Sequence, residues 1–144
     1  MQVQHILKEK ATTGVISVTP TASIAEVSAL LSSRKIGAVL VSKDGKKLDG
    51  IISERDVVRE IGKRGAGVLD ETAAELMTRD LVTCVPGDTA LEVLGMMDRG
   101  NFRHMPVVVD GEVIGLVSIR DVVHARLQEL AMEKDALTGM IMGN

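Results

Sequence analysis

Two copies of one short polar pattern hold the residues of this chain that could do chemistry. Residues 50–58 read Gly-Ile-Ile-Ser-Glu-Arg-Asp-Val-Val, and residues 115–123 read Gly-Leu-Val-Ser-Ile-Arg-Asp-Val-Val. The polar residues keep their places within an aliphatic frame, which indicates that both copies do the same chemical work. They are Ser53, Arg55 and Asp56 in the first copy, and Ser118, Arg120 and Asp121 in the second.

The Ser and the Asp of each copy lie three residues apart, and this spacing fits two compatible roles. A Ser before a helix caps its first turn, and an acid three residues later accepts a hydrogen bond from the amide of that Ser. The same helix N-terminus offers amides and a partial positive charge to a phosphate. The carboxylate can also accept two hydrogen bonds from a vicinal diol such as that of ribose, while the neighbouring Arg neutralises phosphate oxygens.

The rest of the composition argues against catalysis, metal binding and nucleic-acid binding. Neither Ser has a His base beside it, and no acidic pair stands in a recognisable catalytic frame. Three scattered His and the single Cys84 lack the spacing of a metal site. Phe102 is the sole aromatic residue and the net charge is −3, which disfavours base stacking and affinity for a phosphate backbone. We therefore predict a protein that is not an enzyme, with no catalytic residue and no bound metal.

The sequence also predicts a cytoplasmic protein that does not bind a membrane. No apolar run approaches the roughly 18 residues that would span a bilayer. Residues 1–5 contain no hydrophobic segment of signal-peptide type. Cys84 has no second Cys with which to form an internal disulfide.

The similarity between the two halves extends well beyond the repeated segment. Residues 18–20 match residues 84–86 at an offset of 66, whereas the repeated segments match at an offset of 65. One residue is therefore lost in between, where a hairpin loop would tolerate a change of length. Each half alone is too small to bury both faces of a sheet, so we expect the two to pack about a pseudo-twofold axis.

Both halves predict the same order of elements, β-α-β-β-α. Asp-Gly dipeptides at 44–45 and 110–111 predict the hairpin turns, and Ser23 and either Asp88 or Thr89 are expected to cap the first helix of each half. The predicted strands cover residues 15–18, 37–41, 48–52, 81–85, 105–109 and 113–117. Apolar side chains at helical spacing define the first helices: Ile24, Val27, Leu30 and Leu31, then Leu91, Leu94 and Met97.

Further segments flank these repeats. A short helix over residues 3–10 precedes the first half, and residues 71–77 are its expected counterpart. The Gly-rich stretch 62–67 predicts a linker, and residues 125–141 extend the last helix before a small apolar tail. The seven Met residues after Met1 all lie from Met77 onward. They serve either as adaptable core filler or, at the C-terminus, as an apolar surface for a partner or a second copy.

The chain resembles a tandem pair of cystathionine-β-synthase (CBS) domains, known as a Bateman module. The resemblance is carried by residues 50–58 and 115–123, by the Phe102–Val107 segment and by Met77-Thr78-Arg79-Asp80, and it covers essentially the whole chain. It implies an α+β fold of two β-α-β-β-α repeats. The expected domains are residues 1–66, with the N-terminal helix and linker, and residues 67–144, with the C-terminal helical extension. With no other domain left over, it resembles a stand-alone module.

The resemblance implies clefts between the repeats for adenosine-containing ligands: AMP, ADP, ATP or a dinucleotide such as NADH. It assigns Asp56 and Asp121 to the ribose, with Ser53 and Ser118 beside them. It also puts the base near two strands, whose candidate residues are Ile36, Gly37 and Ala38, and Phe102, Arg103, His104, Met105 and Pro106. Because Arg103 and His104 stand where the first half has Gly37 and Ala38, the two clefts should not be equivalent. His104 is either a phosphate contact or pH switch, or a partly exposed strand residue.

The leading functional hypothesis is a regulatory module that senses adenine nucleotides and alters its conformation or its interaction with a partner. No cofactor is required in this interpretation, and the resemblance implies a homodimer formed through helix faces. The alternative is a structural or interaction module whose clefts stay empty.

Overall fold

Helices and short strands alternate in the predicted order in a computed structural model, which describes residues 1–10 and 15–142. The predicted α+β class is confirmed. The elements are α1 Val3–Glu9, β1 Ser17–Val18, α2 Ile24–Arg34, β2 Ala38–Val41, β3 Gly50–Ser53, α3 Glu54–Arg64, α4 Ala73–Leu76, α5 Ala90–Gly100, β4 His104–Val109, β5 Glu112–Ser118 and α6 Ile119–Ile141.

The described chain divides into two compact units that do not follow the sequential halves. The first unit comprises residues 15–82 and 109–114, and the second comprises residues 1–10, 83–108 and 115–142. Helix α1 therefore packs with residues of the second half, while α4 packs with residues of the first. The expected division at residues 1–66 and 67–144 stays a prediction about the order of the repeats, and the compact units follow other bounds.

Two glycines explain why α1 and α4 pack where they do. A Cβ atom on Gly115 in β5 would lie 2.7 Å from a methyl carbon of Leu7 in α1. A Cβ atom on Gly50 in β3 would lie 2.6 Å from the sulfur of Met77, which follows α4. The Gly that opens each repeated segment thus allows a short helix to approach the strand closely.

Each unit has its own sheet and its own core of aliphatic and Met side chains. In the first unit β1 pairs parallel with β2, and β2 pairs antiparallel with β3. In the second unit β4 pairs with β5, and the predicted strand over residues 81–85 is reduced to a parallel bridge between Cys84 and Val107. Cys84 makes both bonds of this bridge: its amide donates to the carbonyl of Pro106 at 3.0 Å, and its carbonyl accepts from the amide of Val108 at 2.9 Å. The amide of the next residue, Val85, donates to the carboxylate of Asp88 at 2.9 Å.

The helix caps agree with the sequence, whereas one buried face does not. The hydroxyls of Ser23 and Thr89 accept hydrogen bonds from the amides three residues later, as N-caps do. In α5, however, the expected inward position of Leu91 is wrong, since this side chain is 55% exposed. The buried residues are Ala90, Val93 and Met97, at the offset of 66 from the buried Ile24, Val27 and Leu31 of α2. The packing of α5 on its sheet decides which face of the helix is buried, and Leu91 lies outside that face although it is a large apolar residue.

The expected linker over residues 62–67 is largely helical. Helix α3 continues to Arg64 and ends where Gly65 adopts a φ of +82°, and a 3-10 turn over Ala66–Asp70 follows. Val68 in that turn is buried and fastens it to the first core. Helix α6 is continuous over 23 residues, from Ile119 to Ile141. Within the described residues, no helix combines the length and apolar character needed to cross a bilayer.

Candidate functional site

The Ser and Asp of each repeated segment form a capping box at the start of a helix. At α3, the amide of Ser53 donates to Oδ2 of Asp56 at 2.9 Å, and the amide of Asp56 donates to Oγ of Ser53 at 3.2 Å. At α6, the same two hydrogen bonds join Ser118 and Asp121 at 2.9 and 3.1 Å. The capping role expected from the spacing is therefore confirmed in both copies.

The strand residues predicted to lie near a base are held against these helix starts by their backbones. The carbonyl of Gly37 accepts a hydrogen bond from the amide of Glu54 at 2.9 Å, and the carbonyl of Arg103 accepts one from the amide of Ile119 at 2.8 Å. In each helix the first amide donates to this carbonyl, and the third amide donates to the hydroxyl of the capping Ser. The amide of the intervening residue, Arg55 or Arg120, is the one they leave for an anion.

The two Asp side chains receive their cations from different parts of the chain. Oδ1 of Asp56 accepts from the guanidinium of Arg59, one turn further along α3, at 3.0 Å. Oδ2 of Asp121 lies 2.9 Å from the ammonium of Lys10, just after α1. In the first unit the position that corresponds to Lys10 is Asp80, if α1 and α4 are aligned by their N-caps. The two helix N-termini therefore differ in charge.

The carboxyl of Asp121 stays ionised well into acidic pH. Its partial burial by itself would raise the pKa, but hydrogen bonds from the amide of Ser118 and from Lys10 outweigh the burial and lower the pKa below its usual value of 3.8. At neutral pH the side chain is thus a carboxylate, the form that accepts hydrogen bonds from a diol.

A cleft of about 570 Å³ opens beside Asp121 within the second unit. Its polar lining joins three basic side chains with two acidic ones, and the rest is aliphatic. The lining residues are Ile6, Glu9, Lys10, Arg120, Asp121, Val123, His124, Ala125 and Leu127. A cleft of this size and mixed lining suits a small polar ligand.

The other predicted site residues range from buried to exposed. Met105 is fully buried, Ala38 nearly so, and Pro106 also lies in the interior. The side chains of Ile36 and Phe102 pack partly against the two cores, while His104 is half-buried at the start of β4. Arg55 and Arg103 are exposed. Of the predicted residues, Arg120 and Asp121 line the cleft of the second unit.

Sequence reasoning missed the contribution of α1 to this cleft. Ile6, Glu9 and Lys10 lie outside both repeated segments, so the repeat gave no reason to select them. His124 was interpreted as a surface residue, and it is exposed, but it also lines the cleft. Among residues 1–10 and 15–142, no group of three or more His, Cys, Asp or Glu side chains is arranged to hold a metal ion.

Comparisons with known proteins match the same domain family to both halves of the chain. The family model of the CBS domain matches residues 3–63 and again residues 73–128. The mitochondrial CBS domain-containing protein CBSX3 of Arabidopsis thaliana is 35% identical over 117 residues, which are 78% of this chain and 57% of CBSX3. The chain spans a smaller share, 26%, of the Arabidopsis protein CBSCBSPB1. The cytoplasmic location stays a prediction, since the name of CBSX3 assigns that protein to mitochondria.

Solved structures give the same result for the fold. The CBS-domain containing protein ATU1752 from Agrobacterium tumefaciens has a TM-score of 0.82 and 36% identity, covering 88% of this chain and 99% of that one. The CBS domain pair of MJ0100, solved with 5′-methylthioadenosine and S-adenosyl-L-methionine, has a TM-score of 0.78 and 25% identity, covering 90% and 98%. None of these matches indicates an enzyme family. The chain belongs to the CBS domain family and contains two CBS domains in tandem.

Proposed function

We propose that this protein is a regulatory module that binds an adenosine-containing ligand at the N-terminus of α6, beside Asp121. The ligand is AMP, ADP, ATP or a dinucleotide such as NADH. Binding favours one conformation over another, and a protein partner responds to that change. No cofactor takes part.

The arrangement around Asp121 carries this proposal. An ionised carboxylate suited to a ribose diol stands at a helix N-terminus, and the cleft beside it contains the basic side chains of Lys10, Arg120 and His124. The aliphatic side chains of Ile6 and Leu127 complete the lining. The carboxylate would accept hydrogen bonds from a ribose, and the basic side chains would pair with a phosphate of the same ligand.

The ligands of a relative support adenosine as the common element. 5′-Methylthioadenosine and S-adenosyl-L-methionine, the molecules bound to the MJ0100 pair, share an adenosine group and carry no phosphate. In this chain three basic side chains lie in the cleft, which favours the phosphorylated members of the same class.

A second site at the N-terminus of α3 is part of the proposal. There Ser53, Arg55 and Asp56 repeat the pattern, with Gly37 at the neighbouring strand. Arg59 occupies Oδ1 of Asp56, so a diol would have to displace a guanidinium that is half exposed. The residue differences between the two helix starts favour different affinities or different ligands.

A thermal-shift panel with AMP, ADP, ATP, NADH and S-adenosylmethionine tests the proposal. A ligand present at about 100 times its dissociation constant should add about 2.7 kcal/mol of stability. Asp121→Asn should abolish the larger part of the shift, and Asp56→Asn should show whether the second site contributes. A panel without any shift would contradict sensing and favour the alternative, a structural or interaction module.

The control must separate ligand contact from helix capping. Glu92 closes a capping box with Thr89 at the start of α5, away from both repeated segments. Glu92→Gln keeps an acceptor for the amide of Thr89 and removes the charge, as Asp121→Asn does at Ser118. It should therefore lower the melting temperature slightly while retaining the full ligand-induced shift. Equal loss of the shift in Glu92→Gln and Asp121→Asn would mean that only stability had changed.

The proposal also includes a homodimer in the cytoplasm. Gel filtration with light scattering measures the dimer, and the family resemblance and the apolar helix faces support it. A monomer at all concentrations would remove this part and leave the ligand proposal intact.

A further inference from the structure

The two repeated segments are followed by different residues one helical turn after the Asp. At the offset of 65 that relates the segments, Arg59 of α3 corresponds to His124 of α6. Side chains three residues apart on a helix lie on the same face, so a residue at this position can approach the preceding Asp. The arginine in one copy and the histidine in the other therefore give the two carboxylates different neighbours.

In the first copy the arginine occupies the carboxylate. Nη2 of Arg59 lies 3.0 Å from Oδ1 of Asp56, while the amide and the hydroxyl of Ser53 each donate to Oδ2 at 2.9 Å. Both oxygens of Asp56 thus have donors before any ligand arrives. The side chain of Arg59 is 53% exposed, and its Nε lies 4.0 Å from Oε1 of Glu60. The guanidinium therefore keeps an acidic neighbour when it leaves Asp56.

In the second copy the corresponding carboxylate oxygen is left for a ligand. The amide of Ser118 and the ammonium of Lys10 both contact Oδ2 of Asp121, each at 2.9 Å, and these contacts leave Oδ1 for a hydroxyl group. His124 is exposed and lines the cleft beside Asp121. Its imidazole is shorter than an arginine side chain and lacks the five N–H donors of the guanidinium fork, which matches a carboxylate.

We propose that the residue at this position determines which of the two sites accepts a ribose. Arg59 competes with a diol for Asp56, whereas His124 leaves Oδ1 of Asp121 accessible. An adenosine ligand without a phosphate therefore binds at the N-terminus of α6 in preference to that of α3. The inference rests on the proposed function and names the residue that sets the specificity of each site.

A phosphorylated ligand changes the competition at α3. Its phosphate gives the guanidinium of Arg59 another anionic partner, and arginine forms strong charge-assisted hydrogen bonds with phosphate. A ligand that brings both a diol and a phosphate can thus replace the contact between Arg59 and Asp56 with two contacts of its own. The site at α3 should therefore discriminate more strongly than the site at α6 between AMP and adenosine.

Reciprocal exchange of the two residues tests the inference by calorimetric titration with adenosine and with AMP. His124→Arg should weaken adenosine binding at α6 about fivefold, the upper range for a partly exposed ion pair, because the introduced guanidinium can occupy Oδ1 of Asp121. Arg59→His should tighten adenosine binding at α3 by a similar factor. AMP binding should change less in both variants, because the phosphate draws the guanidinium away from the carboxylate. The amide NMR signals of Asp56 and Asp121 assign each change to its site.

Matched charge changes one turn further along each helix serve as controls. Gln128→Arg adds a positive charge to α6, and Lys63→His removes one from α3, both at exposed side chains. Neither control should change adenosine binding by more than about twofold, since neither residue has a described contact with Asp121 or Asp56.

Two results would overturn the inference while leaving the proposed function intact. One is adenosine binding that neither exchange alters, and the other is an effect of each exchange equal to that of its control, which would mean that only net charge matters. If neither the parent nor any variant bound adenosine or AMP, the proposed function would fail and the inference would fail with it.

Discussion

The ammonium of Lys10 lies 2.9 Å from Oδ2 of Asp121 and donates to the carbonyl of Leu116 at 2.7 Å. The two contacts fasten the residue after α1 to the last strand and the last helix of the second unit. Both side chains of the ion pair are only about a quarter exposed, at 28% and 25%. The pair therefore links helix α1 to the candidate ligand site.

Loss of this cation should destabilise the second unit in a pH-dependent way. Lys10→Met is expected to lower the free energy of unfolding by about 1 kcal/mol at pH 7, the upper range for a partly exposed pair. The folded-state pKa of Asp121 is depressed below 3.8, so its contribution is present above about pH 4 and is lost as the pH falls through the folded value. The difference from the parent should therefore shrink as the pH falls below about 4, as urea unfolding at pH 7 and at pH 2 would measure.

Lys8 supplies the control for that experiment, because it is exposed and lies in the last turn of α1, two residues before Lys10. Lys8→Met should leave the stability unchanged at both pH values. If Lys10→Met destabilised the protein equally at pH 7 and pH 2, the loss would come from packing of the Lys stem and not from the ion pair.

The same residue should discriminate between ligands with and without a phosphate. A ribose diol on Asp121 competes with Lys10, whose ammonium is then available to a phosphate in the cleft. Lys10→Met should thus weaken AMP binding about tenfold, in the range of a lost charge-assisted hydrogen bond, and leave adenosine binding unchanged or slightly tighter. Calorimetric titration measures both, and an equal loss for adenosine and AMP would contradict a phosphate role for Lys10.

The sequence predicted the features that depend on local spacing. The helix caps at Ser23, Thr89, Ser53 and Ser118 follow from a hydroxyl followed three residues later by an acid, and all four form. The Asp-Gly turns also follow locally, since Gly45 and Gly111 adopt φ values of +77° and +80° that other residues avoid.

What the sequence could not predict depends on contacts between distant residues. The cleft includes Lys10 because Leu7 packs on Gly115, more than a hundred residues away, and no periodicity within α1 indicates which strand will receive it. Likewise, the exposed position of Leu91 follows from the phase of α5 on its sheet. The repeat does contain a clue, because Ala90, Val93 and Met97 stand at the same offset from buried residues of α2.

Cys84 should be unreactive in the folded protein. Burial in the core of the second unit, assisted by the charge of Asp88, raises the pKa of its thiol to about 12. At pH 7 the thiol is then almost entirely protonated, and the thiolate is the reactive form. Labelling with a thiol reagent should be complete in denaturant and very slow without it. Fast labelling of the native protein would mean that the bridge between Cys84 and Val107 opens readily.

The glycines of the repeated segments should differ in their tolerance of a methyl group. Gly50→Ala is expected to cost about 1–3 kcal/mol of stability, because a new Cβ would meet the sulfur, Cγ and Cβ of Met77 within 2.9 Å. Gly115→Ala should cost less, since it meets mainly the methyl carbons of Leu7, at the mobile end of that side chain.

Two further variants serve as controls for the glycine substitutions, and chemical denaturation measures the free energy of unfolding of each. Gly62→Ala, in α3 with nothing within 4 Å of the new Cβ, should stabilise the protein by up to about 1 kcal/mol through helix propensity. Leu7→Ala combined with Gly115→Ala should cost less than the sum of the single changes, because the smaller side chain leaves room for the new methyl group. Strict additivity of the pair would show that α1 does not rest on Gly115 in solution.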